Sequence, residues 1–294
     1  MDITTTMDSE LRVAYEQFPS NAIPQNTNEF VAFRKAQDEE LAQMNELPKN
    51  EHVVIEERVV PPTLTTPEVP VRIYTPMSRT GLLPALLWTH GGGFFAGNSA
   101  MDDPLLCRFV EEVECIVVSV EYRLAPEHPF PAGIDDCYAA LTWLATNAQE
   151  LGVNRDRLAI AGNSAGGGTS AAVALMARDR GEVNLCFQMP LYACLDDRHI
   201  TSSSHEITDA RTWSREISLQ SWAAYLGTDS KDDVSPYAAP NRASNLAGLP
   251  PTYMMVGDHD LLRDENIAYA NRLMQAGCQL NSMSIQGLFM LLRY

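Results

Sequence analysis

Positive charge is scarce in this sequence. Against 38 Asp and Glu stand 21 Lys and Arg, a formal net charge of -17 over 294 residues. A field of that sign repels phosphate backbones and anionic headgroups, which argues against nucleic acid and acidic membranes as partners. An uncharged small molecule fits better. No apolar run approaches the ~20 residues that a membrane span needs. The opening residues, Met1-Asp2-Ile3-Thr4-Thr5-Thr6, lack both a basic region and an apolar region, so a secretory leader is not expected and a cytoplasmic protein is. Cysteine is thinly scattered. Cys107, Cys115, Cys137, Cys186, Cys194 and Cys278 make no close pair at zinc-site spacing and read as small buried thiols in a reducing compartment. Internal repeats and low-complexity tracts are missing too.

What is present is an alternation. With 45% hydrophobic residues, the chain has enough apolar material for one large domain, or a core domain with a small appendage. Apolar runs at 53–60, 69–75, 82–89, 115–122, 158–161, 186–191, 252–256 and 279–285 read as strands. Pro61, Pro62 and Pro70 mark the first two as irregular or at an edge. Helical patterns cover 136–148, 166–180 and 264–276, the last two stopping at Gly181 and Gly277. Strand followed by helix, repeatedly, predicts a mainly parallel sheet with helices on both faces and an antiparallel start. Two segments stand outside this rhythm. Residues 1–50 look helical and amphipathic, with Leu11, Tyr15, Phe18, Phe30, Phe33 and Ala36. Residues 195–227 carry Trp213, Ile217, Trp222 and Tyr225. Both are expected to pack together as a small helical cap over one edge of an α/β domain spanning 51–294.

Gly162-Asn163-Ser164-Ala165-Gly166 matches the G-x-S-x-G elbow and lies between a strand and a helix, as that turn requires. The glycines allow a turn too tight for side chains, and the turn lifts the Ser164 hydroxyl to the sheet's carboxyl end. The helix behind it favours developing negative charge. His90-Gly91-Gly92-Gly93-Phe94 closes the third apolar run. Its glycine row lets backbone N–H groups approach a ligand closely, so Gly92 and Gly93, joined by the N–H of Ala165, are candidate oxyanion donors. His90 and Gly91 are expected to shape that loop from below. Asp260 follows the strand at 252–256 and so reaches the same edge, where an acid orients an imidazole. Asp258 is the alternative acid, and Asp264 and Glu265 suit the start of the next helix.

These stretches, with Tyr122-Arg123-Leu124-Ala125-Pro126-Glu127-His128-Pro129-Phe130-Pro131-Ala132, Gly248-Leu249-Pro250-Pro251 and Asp260-Leu261-Leu262-Arg263-Asp264-Glu265, resemble the hormone-sensitive-lipase-like family of bacterial esterases over roughly residues 70–289. Asn163 departs from the acidic residue usual there. The resemblance implies the α/β-hydrolase fold, hydrolysis of short-to-medium acyl esters, a helical cap, no metal or cofactor, and Asp260 as triad acid.

The family also places a histidine after the last strand, in a pattern like Gly-x-Phe-His-Gly/Ala-Phe. Here the stretch reads Gly287-Leu288-Phe289-Met290-Leu291-Leu292-Arg293-Tyr294. Met290 holds the histidine's place, and a thioether takes no proton at neutral pH. The family's closing helix is missing as well, so the C-terminus reads as truncated. Codons permitted for Phe289-Met290-Leu291-Leu292-Arg293-Tyr294, read one base back, can spell His-Ala-Phe-Glu-Val, so a frame change is one origin that the coding DNA would decide. His259 adjoins Asp260 too tightly for a Ser–His–Asp line. His199 and His205 lie in the cap segment, and His52 and His128 sit elsewhere. Without a base Ser164 stays a poor nucleophile, with roughly 10³–10⁴-fold catalysis over water left to the oxyanion hole and binding. An impaired carboxylic-ester hydrolase is therefore expected. The alternatives are a non-catalytic acyl-ligand binder or scaffold, and an amidase or peptidase. Residues 279–285, left as an edge, are a candidate homodimer contact.

Overall fold

A computed structural model describes residues 7, 9–17, 24, 26–44, 50–227 and 233–285. Its strands are β1 (Val53–Val60), β2 (Val69–Pro76), β3 (Leu83–Thr89), β4 (Ile116–Val120), β5 (Val153–Asn163), β6 (Phe187–Leu191), β7 (Thr252–Gly257) and β8 (Leu280–Ile285). They form one sheet in the order β1-β2-β4-β3-β5-β6-β7-β8. β1–β2 and β2–β4 pair antiparallel, and every later pair is parallel. The antiparallel start and the parallel body are both as the sequence predicts.

Central strands are apolar on both faces because both are covered. In β4, Ile116, Val118 and Val120 face one apolar cluster while Val117 faces another. Leu87 and Trp88 of β3 divide the same way. The first face is covered by α4 (Ala132–Thr146), α6 (Ser164–Arg180) and α9 (Arg263–Gln275), through Leu141, Leu175 and Tyr269 among others. The second is covered by α3 (Asp103–Val113), through Leu106 and Val110. Each such fully buried side chain contributes roughly 1.5–3 kcal/mol. α6 is buried from Ser164 to Ala177, which its small residues permit. A one-turn helix, α5 (Ala148–Leu151), follows α4. α3 is an addition to the elements read from the sequence, and β5 begins five residues before the apolar run at 158, because Val153 pairs with Leu83 across the exposed Arg155-Asp156-Arg157.

A third cluster sits at the carboxyl end of the sheet. It joins Tyr15 of α1 (Ser9–Gln17) and Phe30 of α2 (Thr27–Met44) to Ile217, Trp222 and Tyr225 of α8 (Arg215–Leu226). A short helix, α7 (Ser202–Glu206), precedes α8. The two segments outside the strand–helix rhythm do meet: the Arg211 guanidinium lies 4.3 Å from the centre of the Tyr15 ring. Phe18, expected to help build this region, lies outside the described residues, and so do 286–294, where Met290 holds the histidine's place in the sequence. None of the described helices is long and apolar enough to cross a membrane.

Candidate active site

Ser164 follows Asn163, the last residue of β5, and opens α6 with φ +53°. A β-carbon-bearing residue in that left-handed region stores strain, and the surroundings must hold it there. They do so by close approach. A Cβ on Gly162 would lie 2.4 Å from the Thr89 carbonyl oxygen, and one on Gly166 would lie 2.0 Å from it. Thr89 Oγ1 donates to the Gly166 carbonyl at 2.7 Å, tying the end of β3 to the elbow. Beneath Ser164, Asn163 Nδ2 donates to Asp102 Oδ1 at 3.2 Å and Trp88 Nε1 to Asp102 Oδ2 at 2.8 Å. Burial pushes the Asp102 carboxyl up from its usual range. Asp102 has no motif of its own and lies 61 residues from Asn163, so the sequence offers no signal for it.

After β3 the chain turns at Gly92, with φ +111°, and Phe95 N and Ala96 N close the turn on the Gly92 carbonyl. A Cβ on Gly92 would overlap the Ala96 carbonyl oxygen at 2.0 Å. No hydrogen bond occupies the N–H of Gly92, Gly93 or Ala165 among the described residues. His90 is fully buried, stacked on Tyr122 at 4.2 Å between ring centres, with Nδ1 2.7 Å from the Gly91 carbonyl. Tyr122 Oη donates to the His90 carbonyl at 2.7 Å. Burial lowers the imidazole's affinity for a proton. Trp213 packs on Gly93: a Cβ there would lie 2.4 Å from the indole Cη2.

Asp260 is buried just past β7, and its Oδ1 accepts from Leu262 N at 2.9 Å. Burial, only partly countered by that N–H and by Arg263, pushes its carboxyl up to about 7. Asp258 is more open and lies 3.8 Å from His259 Nε2. Glu265 and Asn266 do more than begin α9. Glu265 Oε1 accepts from Leu195 N at 2.7 Å, and Asn266 binds both the N–H (3.0 Å) and the carbonyl (2.8 Å) of Ala193. Between these clamped residues lies Cys194. Its N–H donates to the Ser164 carbonyl at 2.9 Å, and its Sγ is 3.9 Å from Ser164 Oγ. Burial holds that thiol well above its usual pKa, so it stays protonated and is no base. Cys107, Cys115 and Cys137 are buried too, whereas Cys278 is half-buried and Cys186 exposed.

None of the six histidines is hydrogen-bonded to Ser164 among the described residues. His199 spends Nδ1 on the Asp197 carbonyl at 2.9 Å and Nε2 on Ser218 Oγ at 2.8 Å. His52, His128 and His205 are exposed. The arrangement thus has a serine on a strained turn, N–H groups on the next residue and on the glycine loop that carry no hydrogen bond among the described residues, and a buried acid. This set suits attack on a carbonyl and stabilisation of the resulting oxyanion.

A family described as having the alpha/beta hydrolase fold matches residues 86–290. Carboxylesterase NlhH of Mycobacterium tuberculosis is 42% identical over 226 residues, 76% of this chain and 70% of that one. An arylesterase of Saccharolobus solfataricus is 34% identical over 222 residues, 75% of this chain and 71% of its own. Among solved structures, a bacterial heroin esterase superposes with a TM-score of 0.92 at 40% identity, covering 97% of this chain and 90% of that one. Esterase LipW from Mycobacterium marinum superposes with a TM-score of 0.88 at 31% identity, covering 98% and 89%. On the match across its sheet and elbow, this chain belongs to the α/β-hydrolase fold family, in its hormone-sensitive-lipase-like branch of carboxylesterases.

Proposed function

We propose that the chain is a carboxylic-ester hydrolase for short-to-medium acyl esters, working in the cytoplasm without metal or cofactor. Ser164 Oγ attacks the acyl carbon, and the N–H groups of Gly92, Gly93 and Ala165 receive the charge that moves onto the carbonyl oxygen. His90 and Gly91 shape the oxyanion loop, and Asp260 serves as triad acid. Residues 1–50 and 195–227 act as a cap that supplies the apolar walls, Trp213, Ile217 and Trp222 among them. The observation that supports this reading best is the elbow itself, with Ser164 at φ +53° between β5 and α6 and the N–H of Ala165 free beside it. Turnover is slow, because no imidazole reaches Ser164 among the described residues to take its proton. The raised Asp260 carboxyl is what an acid looks like without an imidazolium to face.

Hydrolysis of p-nitrophenyl butyrate, with Ser164→Ala as control, tests this. The expected result is weak Ser164-dependent turnover, roughly 10⁴-fold or more below a complete triad, that free imidazole accelerates. Brisk turnover without imidazole would mean that another base reaches the serine. The same missing imidazole favours a second reading, a binder of acyl ligands. Tight binding with no Ser164-dependent turnover, imidazole present or not, would establish that one instead.

A further inference from the structure

We infer that Arg34 is a positioning residue for the oxyanion loop, held on the N-terminal helix α2; this rests on reading Gly92, Gly93 and Ala165 as the oxyanion hole. Four of the five N–H groups of its guanidinium are engaged. Nε donates to the Phe95 carbonyl at 2.7 Å and Nη2 to the Ala125 carbonyl at 2.7 Å. Nη1 and Nη2 each donate to one oxygen of Glu127 at 2.9 Å. Phe95 belongs to the turn that closes on the Gly92 carbonyl, and Ala125 N donates to the Phe94 carbonyl at 2.9 Å. One side chain therefore fixes both strands of backbone that frame the loop.

The loop needs such an anchor for a simple reason. A glycine row permits close approach of N–H groups to a ligand, but it has no side chains to pack and is conformationally loose. Rigidity has to come from outside. α2 supplies it at three levels: Phe30 and Phe33 pack edge-on against the Phe95 ring at 4.6 and 5.7 Å, Arg34 binds the carbonyls, and Asp38 accepts from Asn98 Nδ2 at 3.0 Å. Of these, only Arg34 binds the turn's backbone. Glu127 orients the guanidinium; burial alone would raise its carboxyl's pKa, but Arg34 and the Glu127 N–H outweigh burial and lower it. A lysine offers one point charge and cannot span three acceptors in fixed geometry.

Phenylboronic acid tests this without needing turnover. Boron forms a bond to Ser164 Oγ and becomes a tetrahedral anion with an oxygen in the oxyanion hole, while the hydroxyl proton passes to buffer. In the full chain, Arg34→Ala is expected to weaken Ser164-dependent boronate binding about tenfold, within the range of losing part of one oxyanion donor. Low, non-denaturing guanidinium should recover most of that loss while leaving the unaltered chain's affinity unchanged. Rescue of this kind separates positioning from a general loss of packing. Arg34→Lys, which keeps the charge, should sit between the two, and it carries the comparison if Arg34→Ala does not fold. A Ser164-dependent adduct of equal affinity in the unaltered and variant chains overturns the role of Arg34 alone. No Ser164-dependent adduct in the unaltered chain overturns the oxyanion hole, and Arg34's role with it.

Discussion

Asp260 is where the chemistry of a single residue becomes measurable as stability. Burial lifts its carboxyl to about 7 from the ordinary 3.8. The charged form is the one penalised, so the unfolded chain releases this proton first. Stability then falls as pH rises from about 4 to about 7, by on the order of 4 kcal/mol, and stays lower above that. Asp260→Asn is therefore expected to be markedly more stable than the unaltered chain at pH 8 and nearly equal to it at pH 4, by thermal melting at each pH. An equal difference at both would mean that the carboxyl titrates in the folded chain as it does in the unfolded one. Asp260 and Ser164 were legible because each stands in a short pattern just after a strand. Asp102 and Cys194 were not, because what places them is a fold that returns distant backbone beneath the elbow. Met290 and its neighbours lie outside the described residues, so the departure read there stands on sequence alone.

The first turn of α9 shows the same thing one level up. Glu265 was legible as an acid at a helix start, yet its oxygen is spent on Leu195 N, next to the Cys194 that contacts Ser164, and not on the helix's own end. Asn266 holds Ala193 by two bonds and the Leu262 carbonyl by a third. Removing that carboxamide leaves a buried N–H and carbonyl unpaired, so Asn266→Ala is expected to cost about 3 kcal/mol in urea unfolding. A loss below about 1 kcal/mol would show that the clamp is redundant. Strand and helix identities were largely readable from periodicity. Their limits were not. β5 runs through the polar Arg155-Asp156-Arg157 because a neighbouring strand extends there, and α3, though amphipathic, falls between glycine-rich and strand signals that dominate the reading.

Over the whole molecule, β8 forms one edge of the sheet among the described residues, and Met283 on it is 52% exposed. Such an edge offers unpaired backbone to a second copy. We expect a concentration-dependent dimer by size-exclusion chromatography that Met283→Lys shifts to monomer; identical elution of both proteins would place any contact elsewhere. The excess of acidic residues was readable at once and bears on substrate encounter, not on fold. The order of the strands was legible only in part, since alternation predicts parallel pairing but not which strand lies beside which.

β6 and β7 are paired only at Gln188 with Thr252 and at Leu191 with Met255, whereas β7 and β8 are paired at six consecutive positions. The seam between β6 and β7 also divides the two halves of the candidate site, with Ser164 on one side and Asp260 on the other. A sheet with one lightly stitched seam opens there first, as a cooperative unit smaller than the whole. In native-state hydrogen exchange, β7, α9 and β8 should lose protection together, at lower free energy than β3, β4 and β5. Exchange at a single common free energy throughout would show that the seam does not yield first. If it does yield, Asp260 can leave Ser164 while the strand that carries Ser164 stays folded.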